Sequence, residues 1–166
     1  MKKALVSLSI ILTIGYLLLG LVTGNLSASA EEVFLNKKAP EFILEDINSE
    51  KLNLKDLCGK PILLEFWATW CPICRAAIPE VNKLYADYKE EGLIILGINI
   101  MGNKTKVDPF SKKEGIKYRV LLDSNGEVAE MYGVLGVPTR VLIDKDCSIR
   151  YIGNSMPERT LIEKLL

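Results

Sequence analysis

The residues best suited to chemistry in this sequence are two of its four cysteines, Cys71 and Cys74. Two thiols at this spacing can alternate between a dithiol and a disulfide. The sequence contains no histidine, which excludes Cys/His catalytic pairs, histidine-ligated metals and covalent c-type haem attachment. Basic and acidic residues number 21 each, so the net charge of zero gives no indication of a nucleic-acid partner. Thiol–disulfide exchange is therefore the leading chemistry.

A strand and a helix are predicted to position this pair. Residues 61–68 (PILLEFWA) form an apolar run broken only by Glu65, which is typical of a strand buried on both faces. The next segment, 71–91, has a helical stripe made of Ile73, Ala77, Val81, Leu84 and Tyr88. Cys71 would then lie at the helix N-terminus, where free backbone N–H groups and the helix dipole favour the thiolate. We expect Cys71 to attack a substrate and Cys74, one turn later, to resolve the mixed disulfide.

Two alternatives for the pair are a zinc site and a purely structural disulfide. A zinc site would need a second close pair, but Cys58 and Cys147 lie 13 and 73 positions from the nearer motif cysteine. A structural bridge across so short a loop would constrain the unfolded chain very little. The redox interpretation is favoured over both, and it implies neither a metal nor a dissociable cofactor.

The other elements predict a single α/β domain in three layers. Residues 42–54 resemble a short hairpin, and a buried strand at 93–100 would complete a parallel strand–helix–strand unit. Residues 101–108 are expected to be a loop, with Asp108 capping a short helix that starts at Pro109. The remaining predicted elements are a strand at 118–122, a helix at 127–132, a hairpin of 139–143 with 148–152, and a terminal helix at 157–166.

The first thirty residues are predicted to be an export segment. Two lysines precede an apolar run of 19 residues, 4–22, and Ala28-Ser29-Ala30 fits a small-residue cleavage site. Because a spanning helix needs ~20 residues, the run could also remain as a membrane anchor. We expect residues 1–30 to be a signal peptide cleaved after Ala30 or an uncleaved anchor, and residues 31–166 to be the domain, outside the cytoplasm.

Several motifs together resemble the thioredoxin-like superfamily. The segment 65–74 (EFWATWCPIC) is followed by Pro79 inside the helix and by Gly136-Val137-Pro138-Thr139 further on. With the export segment, the 39–42 start (APEF), the 59–61 lead-in (GKP) and the insert at 101–122, the chain resembles the ResA/TlpA-like extracytoplasmic thiol-disulfide oxidoreductases. The resemblance implies a thioredoxin-like three-layer sandwich, with a mixed central sheet and an N-terminal β-hairpin extension.

The resemblance also implies roles for individual residues. Pro138 would be the family's cis-proline facing the cysteines, and it would turn the backbone of Val137 toward a docking substrate. Glu65 would be the buried acid below the pair, whose raised pKa suits it to accept the proton of Cys74. A salt-bridged structural carboxylate is the alternative for Glu65. Trp70 would be a rim residue that contacts substrate, or an aromatic residue present for packing alone.

The other two cysteines acquire a prediction from the same resemblance. In the thioredoxin fold the strand that enters the motif is antiparallel to the strand that leaves the cis-proline, which puts Trp67 roughly opposite Thr139. Antiparallel partners keep a constant sum of residue numbers, here about 206, and the numbers of Cys58 and Cys147 add up to 205. These cysteines should face each other at the far end of the sheet as a structural disulfide, unless the register is shifted by one or two residues.

The function implied is reduction of disulfides in exported proteins, with apocytochrome c as the leading substrate and a membrane or extracytoplasmic thiol-redox partner as the electron donor. Ala77 stands where cytochrome-maturation relatives often carry a glutamate, which leaves the substrate open. The Pro-Ile dipeptide between the cysteines lacks the histidine of strong oxidants, which favours a reductant. The alternatives are a disulfide-forming oxidant, a general envelope reductase, and a redox-inactive module that binds partners in the Pro138 groove.

Overall fold

The computed structural model describes residues 34–166. The expected signal peptide or anchor at 1–30, with its apolar run 4–22, lies outside the described residues. Over residues 34–166, no helix is long and apolar enough to cross a membrane. The elements are β1 (Ile43–Asp46), β2 (Lys51–Asn53), a 3-10 helix (Leu54–Leu57), β3 (Ile62–Trp67), α1 (Pro72–Tyr88), β4 (Ile94–Ile100), α2 (Lys104–Glu114), β5 (Arg119–Asp123), α3 (Glu127–Met131), β6 (Thr139–Ile143), β7 (Ile149–Gly153) and α4 (Arg159–Leu165).

The strands described here form one mixed sheet in the order β2-β1-β5-β4-β3-β6-β7. Strands β3, β4 and β5 are parallel, while β1–β2, β1–β5, β3–β6 and β6–β7 pair antiparallel. Both predicted hairpins and the parallel strand–helix–strand unit are therefore confirmed. The hairpin of β1 and β2 extends the sheet at one edge, as the family resemblance implies.

Helices cover both faces of the sheet, which confirms the three-layer sandwich. On one face, Leu64 and Phe66 of β3 pack in a cluster that includes Val128 of α3. On the other face, Leu63 packs with residues of α1 and α4, and Trp67 packs with residues of α1 and α2. Because each face is covered, all six residues of β3 are buried, and its sequence is apolar throughout except for Glu65.

The register between β3 and β6 differs by one residue from the expected one. Phe66, not Trp67, lies opposite Thr139, and the numbers of paired residues add up to 205 along both strands. Cys58 and Cys147 have the same sum, and a disulfide joins them with their Cα atoms 5.5 Å apart. With this register, Cys58 and Cys147 continue the pairing of β3 with β6 just beyond the last paired residues.

The buried face of α1 differs from the predicted stripe over its first two turns. Cys74 and Ile78 are buried there, whereas Ile73 is 68% exposed and Ala77 is only half-buried. The expected positions Val81, Leu84 and Tyr88 are buried. The stripe was therefore one residue out of phase near the N-terminus, because Cys74 takes the inward position of the first turn.

Helix α2 begins earlier than the sequence predicted. Asn103 caps it by accepting a hydrogen bond from the Lys106 N–H at 3.2 Å, so most of the expected loop at 101–108 is helical. Asp108 is not a cap, since its carboxylate instead contacts Lys112 one turn later at 2.9 Å. Pro109 lies inside the helix. Asn and Asp are about equally good N-caps, and capping at Asn103 gains an additional helical turn.

Candidate active site

Cys71 and Cys74 lie where β3 passes into α1, at the end of the sheet to which the parallel strands β3, β4 and β5 point. The structure holds them as a disulfide with the Cα atoms 5.3 Å apart. Cys71 is the N-cap of α1, and Pro72 occupies the first helical position, where a proline loses no intrahelical hydrogen bond. Both cysteines are buried, with 5% of Cys71 and 2% of Cys74 exposed.

The backbone around Cys71 directs one hydrogen-bond donor at its sulfur and holds the residue in a tight turn. The N–H of Cys74 donates to the Sγ atom of Cys71 at 3.1 Å, and the N–H of Cys71 donates to the carbonyl of Ala68 at 3.1 Å in a tight turn. A sulfur that accepts an N–H bond at a helix N-terminus is stabilised as the thiolate once the disulfide is reduced. This arrangement suits Cys71 for nucleophilic attack.

The loop before β6 reaches the same place because β6 is the neighbour of β3. The peptide between Val137 and Pro138 is cis, and the Sγ atom of Cys71 lies 3.7 Å from the carbonyl oxygen of Val137. The hydroxyl of Thr139 donates to the carbonyl of Gly136 at 2.7 Å, which closes the loop on itself. The structure thus brings Val137 and Cys71 together although they are 66 positions apart.

Glu65 is buried on the α1 side of β3 and both of its carboxylate oxygens are occupied. Arg140 donates to Oε1 at 3.0 Å, and the hydroxyl of Tyr118 donates to Oε2 at 3.1 Å. Burial raises the pKa of the Glu65 carboxyl, while Arg140 and the Tyr118 hydrogen bond act to lower it. Burial, with Glu65 next in effect, also raises the pKa of the Tyr118 hydroxyl, so this group stays a donor.

Sequence reasoning missed Arg140 and Tyr118. The available signal was a lone arginine in the otherwise apolar strand TRVLI, residues 139–143, comparable to the lone Glu65 in its own buried strand. Two oppositely charged residues in adjacent buried strands indicate an ion pair. The pairing of β3 with β6 places Glu65 directly opposite Arg140.

The rim of the site is apolar and exposed. Trp70 is 66% exposed and Ile73 is 68% exposed, so these side chains flank a cysteine pair that is itself buried. A shallow groove runs from Cys71 past Trp70 to Arg75 and Glu114, which form an ion pair at 2.9 Å. Over residues 34–166, no group of three or more His, Cys, Asp or Glu side chains is arranged to hold a metal.

A thioredoxin-like sheet with a Cys-x-x-Cys disulfide at the start of a helix defines the class of thiol-disulfide oxidoreductases. In a comparison with known protein families, residues 35–152 match the AhpC/TSA family. The chain therefore belongs to the AhpC/TSA family of thioredoxin-like proteins.

Individual relatives carry the corresponding enzyme name. The thiol-disulfide oxidoreductase ResA of Bacillus thuringiensis subsp. konkukian is 40% identical over 116 residues, which are 70% of this chain and 67% of that relative. ResA of Geobacillus thermodenitrificans is 34% identical over 150 residues, or 90% of this chain and 84% of the relative. The chain is thus a thiol-disulfide oxidoreductase.

Solved structures agree on the fold. A Chlorobium tepidum protein assigned as the thiol:disulfide interchange protein DsbE superposes with a TM-score of 0.70 at 28% identity, over 79% of this chain and 94% of that chain. The thioredoxin domain of a Bacteroides vulgatus thiol-disulfide oxidoreductase gives a TM-score of 0.72 at 21% identity, over 84% of this chain and all (100%) of that domain.

Proposed function

We propose that this protein reduces disulfides of exported proteins outside the cytoplasm, and that Cys71 and Cys74 are its redox pair. The observation that carries the proposal is the position of the Cys71 sulfur, which accepts the N–H of Cys74 at the start of α1 and lies beside the Val137 carbonyl. The N–H bond at the helix start favours the thiolate of Cys71. Cys74 is buried in the same cluster, one helical turn further on.

The proposed cycle consumes one dithiol and one substrate disulfide. The Cys71 thiolate attacks a substrate sulfur, the substrate S–S bond breaks, and one substrate cysteine leaves as a thiolate. Glu65 takes the thiol proton of Cys74, whose sulfur then attacks the sulfur of Cys71. The bond between Cys71 and the substrate breaks, the second substrate thiolate leaves, and two electrons have moved from the enzyme to the substrate. A membrane or extracytoplasmic thiol-redox partner then returns the enzyme to the dithiol.

The residues around the pair have binding roles in this proposal. The backbone of Val137, turned toward the site by Pro138, would hydrogen-bond to an extended substrate segment next to its disulfide. Trp70 would cover the apolar side chains of that segment, because an exposed aromatic ring beside a reactive sulfur offers a large area to an unfolded chain. With these roles, the proposed site includes a substrate-binding surface as well as the two cysteines.

We further propose that the enzyme works as a reductant and that apocytochrome c is its leading substrate. The two residues between the cysteines are Pro72 and Ile73, neither of which is the histidine of strong oxidants. The predicted export segment supports a location outside the cytoplasm, with the domain either released after Ala30 or held by an anchor at residues 4–22. Cell fractionation tests this location, and full-length protein in the cytosol would contradict it.

The decisive experiment is a measurement of the reduction potential together with insulin reduction by a dithiol. A reductant should catalyse insulin reduction and have a potential near that of thioredoxin, about −270 mV. A potential near that of DsbA, about −120 mV, would instead indicate a disulfide-forming oxidant. Absence of catalysis, with both thiols free and accessible, would indicate a binding module.

A further inference from the structure

The buried ion pair beneath the cysteines gives a role to a residue outside the motif. We propose that Arg140 is a positioning residue that keeps the carboxylate of Glu65 ionised and fixed in place, so that Glu65 can accept the proton of Cys74. This inference rests on the proposed function, because it assumes that Glu65 acts as the proton acceptor. It adds that β6, the strand that follows the loop with Val137 and Pro138, supplies the positive charge that the Glu65 carboxylate needs.

The ion pair is enclosed by protein on both sides. The Arg140 side chain is 5% exposed and that of Glu65 is 3% exposed, with Nη2 and Oε1 3.0 Å apart. Glu65 lies between Leu63 and Trp67 on the face of β3 that packs against α1, which is the helix that carries Cys74. The carboxylate therefore shares the cysteines' side of the sheet.

Arg140 is itself held from a second direction. Its Nη1 atom donates to the carbonyl of Asn154 at 2.6 Å, so the guanidinium is fixed between β3 and the segment after β7. Arg140 follows Pro138 by two residues, and it pairs with Glu65 in the sheet. The loop that would present the Val137 backbone to the substrate thus leads directly into the strand that carries the countercharge of the acid.

The other groups around Glu65 act in both directions on its pKa. The pKa of the Glu65 carboxyl is raised overall: burial raises it most strongly, Arg140 and the Tyr118 hydrogen bond lower it, and the charge of Glu80 in α1 adds the smallest contribution, also upward. Strand β4 contributes Gly97 directly opposite Glu65. A Cβ atom at Gly97 would lie 2.8 Å from Cε2 of Tyr118, so the glycine allows the Tyr118 ring to reach its present position. Arg140 is the positive charge in direct contact with the carboxylate.

Removal of this countercharge should leave Glu65 protonated at working pH. An isolated carboxylate in a buried site takes up a proton rather than remain charged without a partner. A protonated Glu65 cannot accept the proton of Cys74, so attack on the mixed disulfide would slow. Raising the pH would restore the carboxylate, and the step would recover. The expected signature is a pH profile displaced to higher pH, and not a uniform loss of rate.

The test measures the resolving step directly in stopped flow. A reduced protein lacking Cys58 and Cys147 is mixed with an aromatic disulfide that releases one coloured thiolate when Cys71 attacks and a second when Cys74 resolves. For Arg140→Met we expect the second release to be about tenfold slower at pH 7, with the rising limb of its pH profile moved up by about one unit or more. Arg140→Lys keeps the charge and should restore most of the rate.

An NMR measurement gives a readout that does not depend on activity. In protein carrying ¹³C-carboxyl glutamate, the resonance lost in Glu65→Gln identifies Glu65. Its titration midpoint should move up by about one pH unit or more in Arg140→Met, and by less in Tyr118→Phe, which removes one hydrogen-bond donor and keeps the ring. If Arg140→Met does not fold, Tyr118→Phe and Arg140→Lys still test the direction and size of the shift.

The possible outcomes distinguish a failure of the inference about Arg140 from a failure of the proposed function. A slow Glu65→Gln enzyme together with an unmoved pH profile and midpoint in the Arg140 variants would overturn the role of Arg140 and leave the proton acceptor intact. A Glu65→Gln enzyme that resolves at the wild-type rate would overturn the acceptor role and the inference with it. Insulin reduction that depends on Cys71 would stand in either case.

Discussion

The two ends of the sheet each carry a disulfide, and the two bridges have similar spans but different surroundings. The Cα atoms are 5.3 Å apart in Cys71–Cys74 and 5.5 Å apart in Cys58–Cys147. The first bridge joins residues 3 positions apart and the second joins residues 89 positions apart. The span therefore does not distinguish them, but the length of the closed loop and the surroundings of the sulfurs do.

At the active end, the bridge forms part of the start of a helix and holds no distant segments together. At the far end, Cys58 is exposed and follows the 3-10 helix, and Cys147 lies in the β6–β7 turn with a left-handed backbone, φ 58°. The Gly59 N–H donates to the Lys145 carbonyl at 2.8 Å beside this bridge. A left-handed residue other than glycine costs roughly 1 to 2 kcal/mol, a cost that a stabilising bridge between the two loops has to exceed. We therefore propose that the first disulfide serves exchange and the second serves stability.

The largest difference expected between the two ends is in turnover. Cys71→Ser should abolish insulin reduction because it removes the nucleophile, and Cys74→Ser should accumulate mixed disulfides with substrate because the resolving thiol is gone. The double variant Cys58→Ser/Cys147→Ser is the matched control and should retain turnover. Non-reducing gels and the insulin assay measure both effects. Loss of turnover in the folded control variant would show that the far bridge takes part in the reaction.

For stability, we expect the larger effect from loss of the Cys58–Cys147 bridge and the smaller one from loss of the Cys71–Cys74 bridge. Removing the Cys58–Cys147 bridge should lower the free energy of unfolding by about 4 kcal/mol, because a loop of roughly 90 residues is released in the unfolded chain. Reducing only Cys71–Cys74 should cost clearly less, since the loop it closes is very short. Denaturant unfolding of the double variant and of the selectively reduced protein makes the comparison. Equal losses would contradict the division of roles, and free thiols at both far positions would rule the bridge out.

A smaller effect is expected between the two cysteines of the active pair. In the reduced Cys58→Ser/Cys147→Ser protein, Cys71 should be alkylated at least about tenfold faster than Cys74 near neutral pH, with a midpoint below the ordinary thiol value of ~8.5. The helix N-terminus stabilises the Cys71 thiolate, and so this reactivity should persist as the pH falls toward that lowered midpoint. Mass spectrometry of peptides at timed intervals gives both rates, and equal rates would contradict the assignment of the nucleophile.

The smallest expected effect concerns the exposed rim. Trp70→Ser should raise KM for a protein substrate by about threefold to tenfold with little change in kcat, as the loss of a binding contact of ~1 kcal/mol predicts. Ile43→Ser is the matched control, because Ile43 is also an exposed apolar residue, 63% against 66%, but belongs to β1, three strands away from β3 in the sheet. An equal rise in KM for both variants would indicate a nonspecific loss of apolar surface.

The sequence by itself determined the elements that are local. The buried β3 strand, the start of α1 at the cysteine motif and the two hairpins depend on runs of neighbouring residues, and the structure confirms them. Local signals failed where two positions were almost equivalent. Asn103 and Asp108 are both good helix caps, and only the packed structure shows that Asn103 is used.

Tertiary structure decided which distant residues meet. Glu65 and Arg140 are 75 positions apart. A lone charge in each buried strand indicates that a partner is needed, but which residue is the partner depends on which strands are neighbours and in what register. The same register aligns Cys58 with Cys147, and the pairing of β3 with β6 brings the loop that holds Val137 to Cys71. A sequence specifies which residues can be buried. The partner of a buried charge depends on the arrangement of the sheet, because only a correctly placed opposite charge offsets the free-energy cost of desolvation.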